Sequence, residues 1–199
     1  MPRPRTHDEA LRLRLLDRAG ELLSTEGAKA LGLRRLAADA GTSTTAVYSL
    51  FGGKTELVNA LYVEGFRRLG ARLRAVERTG DVVADLVRLG LAYRASALAS
   101  RNLYPVMFTR AVPGFEPNEA AARLARSTVD PLLETVRDGV DRGVLADVPP
   151  GVIAASCWAF AHGLVSLELD GNLPPEFGTA GMYERALRAN ASGWLRAGA

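Results

Sequence analysis

Apolar residues recur along most of the chain at intervals of three and four, the spacing that lines one face of a helix. Leu11, Leu15, Leu16, Ala19, Leu22 and Leu23 form the first such stripe. It predicts a helix over about 8–25, opened by Asp8 and Glu9 at the positive end of its dipole and closed by Gly27. Leu33, Leu36, Ala37 and Ala40 predict a short second helix. Gly41 stops it, because glycine accepts the positive φ that a helix C-terminus needs. Thr42, Ser43 and Thr44 then offer hydroxyl oxygens to cap a third helix. In that helix Ala46, Val47 and Leu50 point inward, leaving Thr44, Thr45, Tyr48 and Ser49 outside. Lys54 opens a fourth helix reaching about residue 75, with Leu57, Leu61, Phe66, Leu69 and Leu73 on its inner face.

The pattern breaks at 77–81 and resumes as a helix over about 81–100. A short helix is expected at 104–110, where Pro105 suits an early position. Pro113, Gly114 and Pro117 mark a loop, and a long helix over about 118–142 follows, with Pro131 as a candidate kink. Helices over about 152–169 and 180–196 complete the chain. Period-two alternation is scarce, so the expected fold is all-α: an N-terminal three-helix domain over 1–54, a linking helix from about 54, and a C-terminal helical domain over 76–199.

The 199 residues, 48% hydrophobic and 24% charged, suit a packed globular protein. The net charge of +3 matters less than its placement: residues 1–54 hold nine basic and six acidic side chains, and the rest holds sixteen of each. All the excess positive charge therefore lies in the first domain, as expected for a surface that meets phosphates. Cys157 is the only cysteine, so no intrachain disulfide forms. The N-terminus lacks the apolar stretch of a secretory signal. The most apolar run, 152–169, is interrupted by His162, two serines and Glu168 and reads as a buried helix rather than a membrane span. A cytoplasmic location is expected. The chain lacks a Gly-rich phosphate loop, a metal-spaced ligand set and a nucleophile elbow. His7 and His162 are its only histidines. The expectation is a non-enzyme without metal or cofactor.

Residues 33–54 have the layout of a helix-turn-helix, whose second helix enters a major groove. Thr42, Ser43, Thr44, Thr45 and Ser49 carry hydroxyls for base edges. Tyr48 suits a phosphate, as does Lys54, which joins its ammonium to a helix N-terminus. Arg34 and Arg35 are candidates for flanking phosphates, although solvated charges on a helix would have the same pattern. Arg3 and Arg5 lie in an arm over 1–7 that either reaches a minor groove or is a solvated terminus.

The run LRRLAADAGTSTTAVYSLFGGKTEL resembles the DNA-binding signature of the TetR family of bacterial transcriptional regulators. The resemblance rests on the Ala-rich helix, the Gly41 turn, the Tyr48-x-x-Phe51 pair and the Lys54-x-x-Leu57 that follows. Ser49 stands where many members carry a basic or larger residue, so base preferences do not carry over, and Gly52-Gly53 replaces a commoner Pro-Ser pair. Trp158-x-x-x-His162-Gly163 and the YPVMF run at 104–108 are similar to a subclass of TetR-like C-terminal domains with a Trp-His-Gly signature.

The resemblance implies a homodimer joined through the helices at about 152–169 and 180–196. It implies binding to a palindromic double-stranded operator, most simply as a repressor, and release by a small-molecule effector. Two-fold symmetry also answers a physical need, since one short helix reads few base pairs. Ala155, Ala159 and Gly163 would let helices pack closely across such an interface. Phe66, Tyr93, Tyr104, Met107, Phe108, Trp158 and His162 are candidate effector contacts, and each is also an ordinary core candidate. For His162 a pocket role and a structural role both stand open. An activator of the same fold, or a helical interaction protein with no DNA role, are the alternatives.

Overall fold

The computed structural model describes residues 5–177 and 179–196, with side chains for all of these except 5–7 and 180. Ten α-helices follow in order: α1 (Arg5–Glu26), α2 (Leu33–Asp39), α3 (Thr44–Phe51), α4 (Lys54–Arg74), α5 (Val82–Ala99), α6 (Tyr104–Phe108), α7 (Glu119–Ser127), α8 (Asp130–Asp141), α9 (Pro150–Leu169) and α10 (Ala180–Ser192). Among the described residues there is no strand, only one isolated bridge between Leu145 and Leu195. The fold is all-α, as expected.

The helices gather into two compact units. Met1–Arg67 with Ser100–Ala125 form the first, and Arg68–Ala99 with Arg126–Ala199 the second. This division differs from the expected boundary near residue 76, because 100–125 belong to the first unit. The reason is burial. Leu103 and Val106 enter the same apolar core as Leu15, Leu16, Leu22, Leu36, Val47, Leu57 and Leu61. Gly65 admits this packing: the Met107 side chain fills the space its missing Cβ would occupy, with Leu103 in contact beside it.

In the second unit α5 packs against α8, α9 and α10. Val82, Leu86, Val136, Leu145, Ile153, Ala154 and Ala191 form its core. The start of α5 is fixed by a buried carboxylate, Asp85, which accepts from the Thr79 backbone (2.8 Å), the Thr79 hydroxyl (2.7 Å) and the Gly80 backbone (3.3 Å). Burial opposes its charge, but these donors outweigh the burial and hold the carboxyl below its ordinary value. Further along, Arg94 on α5 donates twice to Glu168 on α9 (2.6 and 2.8 Å) and stacks 4.3 Å above the Tyr183 ring of α10. That cluster ties three helices together.

Two expectations are corrected. The helix expected over 118–142 is two helices, α7 and α8, separated at Thr128–Val129. Pro131, in the first turn of α8, has no N–H to continue a ladder and crowds the carbonyl four residues back. The run 152–169 is not a buried helix: only 22% of its apolar window is buried. Among the described residues α9 is the one helix long and apolar enough to cross a membrane. Ile153, Ala154, Ala161 and Val165 face the core. Val152, Ala155, Trp158, Ala159, Gly163 and Leu167 form an exposed, mostly apolar stripe on the other side.

Candidate nucleic-acid interface

The α2–α3 turn is built by two residues at fixed offsets. Gly41 adopts φ 64°, and the backbone folds back through Gly41 N–H to the Ala38 carbonyl (3.1 Å) and Thr42 N–H to the Ala37 carbonyl (2.9 Å). These bonds satisfy carbonyls that the end of α2 would otherwise orphan. Two residues later Ser43, in extended backbone, accepts from Ala46 N–H with its side chain (3.1 Å) and so starts α3. Small Ala37, almost fully buried, permits the close crossing.

This geometry rotates α3 so that Val47 and Phe51 are buried while Thr45, Tyr48 and Ser49 face solvent. Tyr48 is 52% exposed, so its ring and hydroxyl are open to a partner. Thr42 and Thr44 are half-buried, and Ser43 is exposed although its oxygen serves as the cap. At the start of α4, Lys54 Nζ donates to the Ala28 carbonyl (3.0 Å), which anchors the ammonium beside the turn after α1 and leaves its other donors available.

The two arginines of α2 separate. Arg35 donates from both terminal nitrogens to Glu26 (2.6 and 2.7 Å) and holds that carboxyl below its ordinary value. Arg34 is exposed and makes no ion pair among the described residues, so it is the better phosphate candidate of the two. Arg3 lies outside the described residues, and Arg5 is described by backbone alone, as the first residue of α1. Sequence reasoning missed Arg18, which donates to both Glu21 (2.6 Å) and Asp39 (2.8 Å) and so fastens α1 to α2. A pair 21 residues apart leaves no sequence signal.

The effector candidates fall into two groups. In the first unit Phe66 meets the Phe108 ring edge-on (centroids 5.4 Å), Tyr104 meets Phe108 at 4.8 Å, and Met107 lies against Gly65. In the second unit the Tyr93 hydroxyl and His162 Nδ1 are hydrogen-bonded at 2.8 Å, and Trp158 meets the His162 ring edge-on at 6.4 Å. Burial holds the imidazole below its ordinary pKa, which favours the neutral ring. Tyr93 is buried and Trp158 is 41% exposed, so this group runs from the interior of the unit to the α9 stripe.

Comparison with known proteins agrees with this architecture. Residues 15–61 match the family described as bacterial regulatory proteins, tetR family. Residues 86–190, more than half of the chain, match a tetracyclin repressor-like C-terminal domain. Neither description singles out a Trp-His-Gly subclass. No curated protein sequence matches significantly. A protein with unknown function from Rhodococcus sp. RHA1 is 28% identical, with 94% of this chain and 96% of that one covered at a TM-score of 0.77. Two more distant structures share the fold. One is the TetR family transcriptional regulator PfmR from Thermus thermophilus (20% identity, 89% and 94% covered, TM-score 0.72). The other is NalD, the secondary repressor of the MexAB-OprM multidrug efflux pump in Pseudomonas aeruginosa (21%, 97% and 100%, 0.69).

Proposed function

From the premise that the chain belongs to the TetR family of bacterial transcriptional regulators, we propose that it is a cytoplasmic, homodimeric repressor released from a palindromic operator by a small-molecule effector. The observation that carries the reading is the outward face of α3. A glycine turn and a serine cap hold a short helix whose exposed side is hydroxyls and one phenol, flanked by Lys54 and Arg34. Thr44, Thr45 and Ser49 read the groove, and Tyr48, Lys54 and Arg34 position the helix on phosphates.

Dimerisation is supported by the α9 stripe. Ala155, Ala159 and Gly163 recur every four residues on the exposed side, and among the described residues, apart from the helix's own neighbouring backbone, none lies within 4 Å of where a Gly163 Cβ would stand. Such a ridge of small residues admits a second helix closely. By contrast, the exposed positions of α10 include Glu184, Arg185 and Arg188, which suit the rim of an interface rather than its centre. Release requires that the effector bind one domain geometry more tightly than the operator-competent one. Within the second unit the Tyr93–His162 pair supplies a polar handle for it and Trp158 an apolar contact; Phe66, Tyr104, Met107 and Phe108 form a separate candidate group within the first unit.

The test is binding of the purified protein to the DNA upstream of its own gene across a salt series. The expected outcome is sequence-selective binding with a two-half-site footprint and an affinity that falls steeply with salt. Weak binding equal on all DNA, upstream regions of neighbouring genes included, would sink the reading.

A further inference from the structure

The first unit contains a concave site that shares only Lys54 with the proposed DNA-reading face. It lies between the turn after α1, the first turn of α4 and the 112–115 loop, with a volume of about 390 Å³. That is within the range of roughly 300–1,000 Å³ typical of small-molecule pockets. Its walls are apolar: Val58 is almost fully buried, and Val112 and Phe115 are half-buried. Its mouth is cationic. Lys29 and Lys54, the only two lysines in the chain, both line it, together with Thr55, and no carboxylate does. The hydrogen bond from Lys54 to the Ala28 carbonyl holds one ammonium in place at the rim. Lys54 and Thr55 are the first residues of a 21-residue helix, so their N–H groups lack intrahelical partners and lie at the positive end of its dipole.

We propose that this pocket binds a small amphipathic anion: one carboxylate, sulfonate or phosphate group on an apolar body about the size of one or two rings. The head sits between Lys29, Lys54 and the Thr55 hydroxyl, and the body covers Val58, Val112 and Phe115. Charge complementarity selects the head, since both lysines line the pocket and no acid is among its described lining residues. The apolar walls select the body, and they separate this occupant from a DNA strand, whose phosphodiester has no apolar part to place against them. Lys54 is shared with the operator reading, but the pocket does not depend on that reading, and its test uses no DNA.

The test uses the full chain and two fluorescent probes of the same shape, 1-anilinonaphthalene-8-sulfonate and the uncharged N-phenyl-1-naphthylamine. The sulfonate is expected to bind one per chain by calorimetry and more tightly than the neutral probe. Both lysines are exposed, so Lys29→Gln with Lys54→Gln leaves the fold intact by circular dichroism. That pair should weaken the sulfonate roughly tenfold, the sum of two modest surface ion pairs. Affinity for the neutral probe should be unchanged. Thr55→Glu, which places a carboxylate at the mouth, should act in the same direction. Sulfonate binding insensitive to all three substitutions, or a parallel loss of both probes, would overturn the site.

Discussion

α3 and α9 each leave one face uncovered by the chain, and the two faces have opposite chemistry. The outer side of α3 carries Thr45, Tyr48 and Ser49 on a helix whose inner side, Val47 and Phe51, is buried. The outer side of α9 carries Val152, Ala155, Trp158, Ala159, Gly163 and Leu167, nearly as apolar as its inner side. A hydroxyl-rich face is well solvated alone and gains direction only from a polar partner. An exposed apolar stripe is costly in water and gains most from a partner that removes it. On the proposed reading, nucleic acid meets the first face and a second copy of the chain covers the other. The largest expected effect breaks this contrast directly. Ala159→Arg places a charge in the α9 stripe at a position exposed in the single chain, so folding should survive. Dimer dissociation should rise by about a hundredfold or more, because the charge loses its water on association. Sedimentation would show monomers, and operator binding would go with the dimer. An unchanged dimer would remove α9 from the interface.

The next effect comes from the other face. Tyr48→Ala with Lys54→Ala should weaken operator binding roughly tenfold to a hundredfold and flatten its salt dependence, as phosphate contacts are lost. Sedimentation should show the dimer intact. A change that reduced dimerisation as well would mean the two faces are not independent.

A third prediction sets one local device on each side against the other. Ser43→Ala removes the oxygen that accepts from Ala46 N–H, and should cost about 1 kcal/mol of stability. Among the described residues the Gly163→Ala methyl meets nothing within 4 Å outside its own helix backbone, so the folded monomer should gain up to about 1 kcal/mol from helix propensity. If a second copy packs on Gly163, the same methyl should weaken the dimer. Thermal melts of the Ala159→Arg background with and without Gly163→Ala separate these contributions. Loss of stability there would contradict the open environment of Gly163.

The same contrast explains what the sequence made legible. The α2–α3 turn was readable because its determinants are local: Gly41 bonds to Ala38, Thr42 to Ala37, and Ser43 caps Ala46. Periodicity likewise placed the inner faces of α1 and α4. Long-range facts left no such trace. Leu103 and Val106 join the core of the first unit from far beyond α3 in the chain, and the Arg35–Glu26 pair removed one of two apparently equivalent arginines. Arg18 with Asp39 and the lysine-rimmed pocket are of the same kind. The apolar run of α9 was read as buried because hydrophobicity reports that a surface is to be covered, but not whether the same chain covers it.

The smallest effect follows from His162, which joins the core of the second unit to the α9 stripe through Tyr93 and Trp158. Burial lowers its pKa from an ordinary value of 6.5, so the folded state favours the neutral ring. The stability this provides is fully present above about pH 6.5 and is lost as pH falls through the folded-state value. The loss is limited because the Tyr93 hydroxyl can donate to neutral Nδ1 and accept from the protonated ring, so the 2.8 Å bond can reverse rather than break. Denaturant titrations of the wild type should therefore show stability declining modestly from about pH 7 to about pH 5. His162→Gln, which keeps a polar side chain without a titrating proton, should show less of that decline. The dimer adds a second expectation. If α9 pairs with a second copy beside Trp158, the ring is buried further, and dimer affinity should fall over the same pH interval in the wild type but not in His162→Gln. Identical pH profiles for the two proteins would place the titration elsewhere and leave His162 a packing residue.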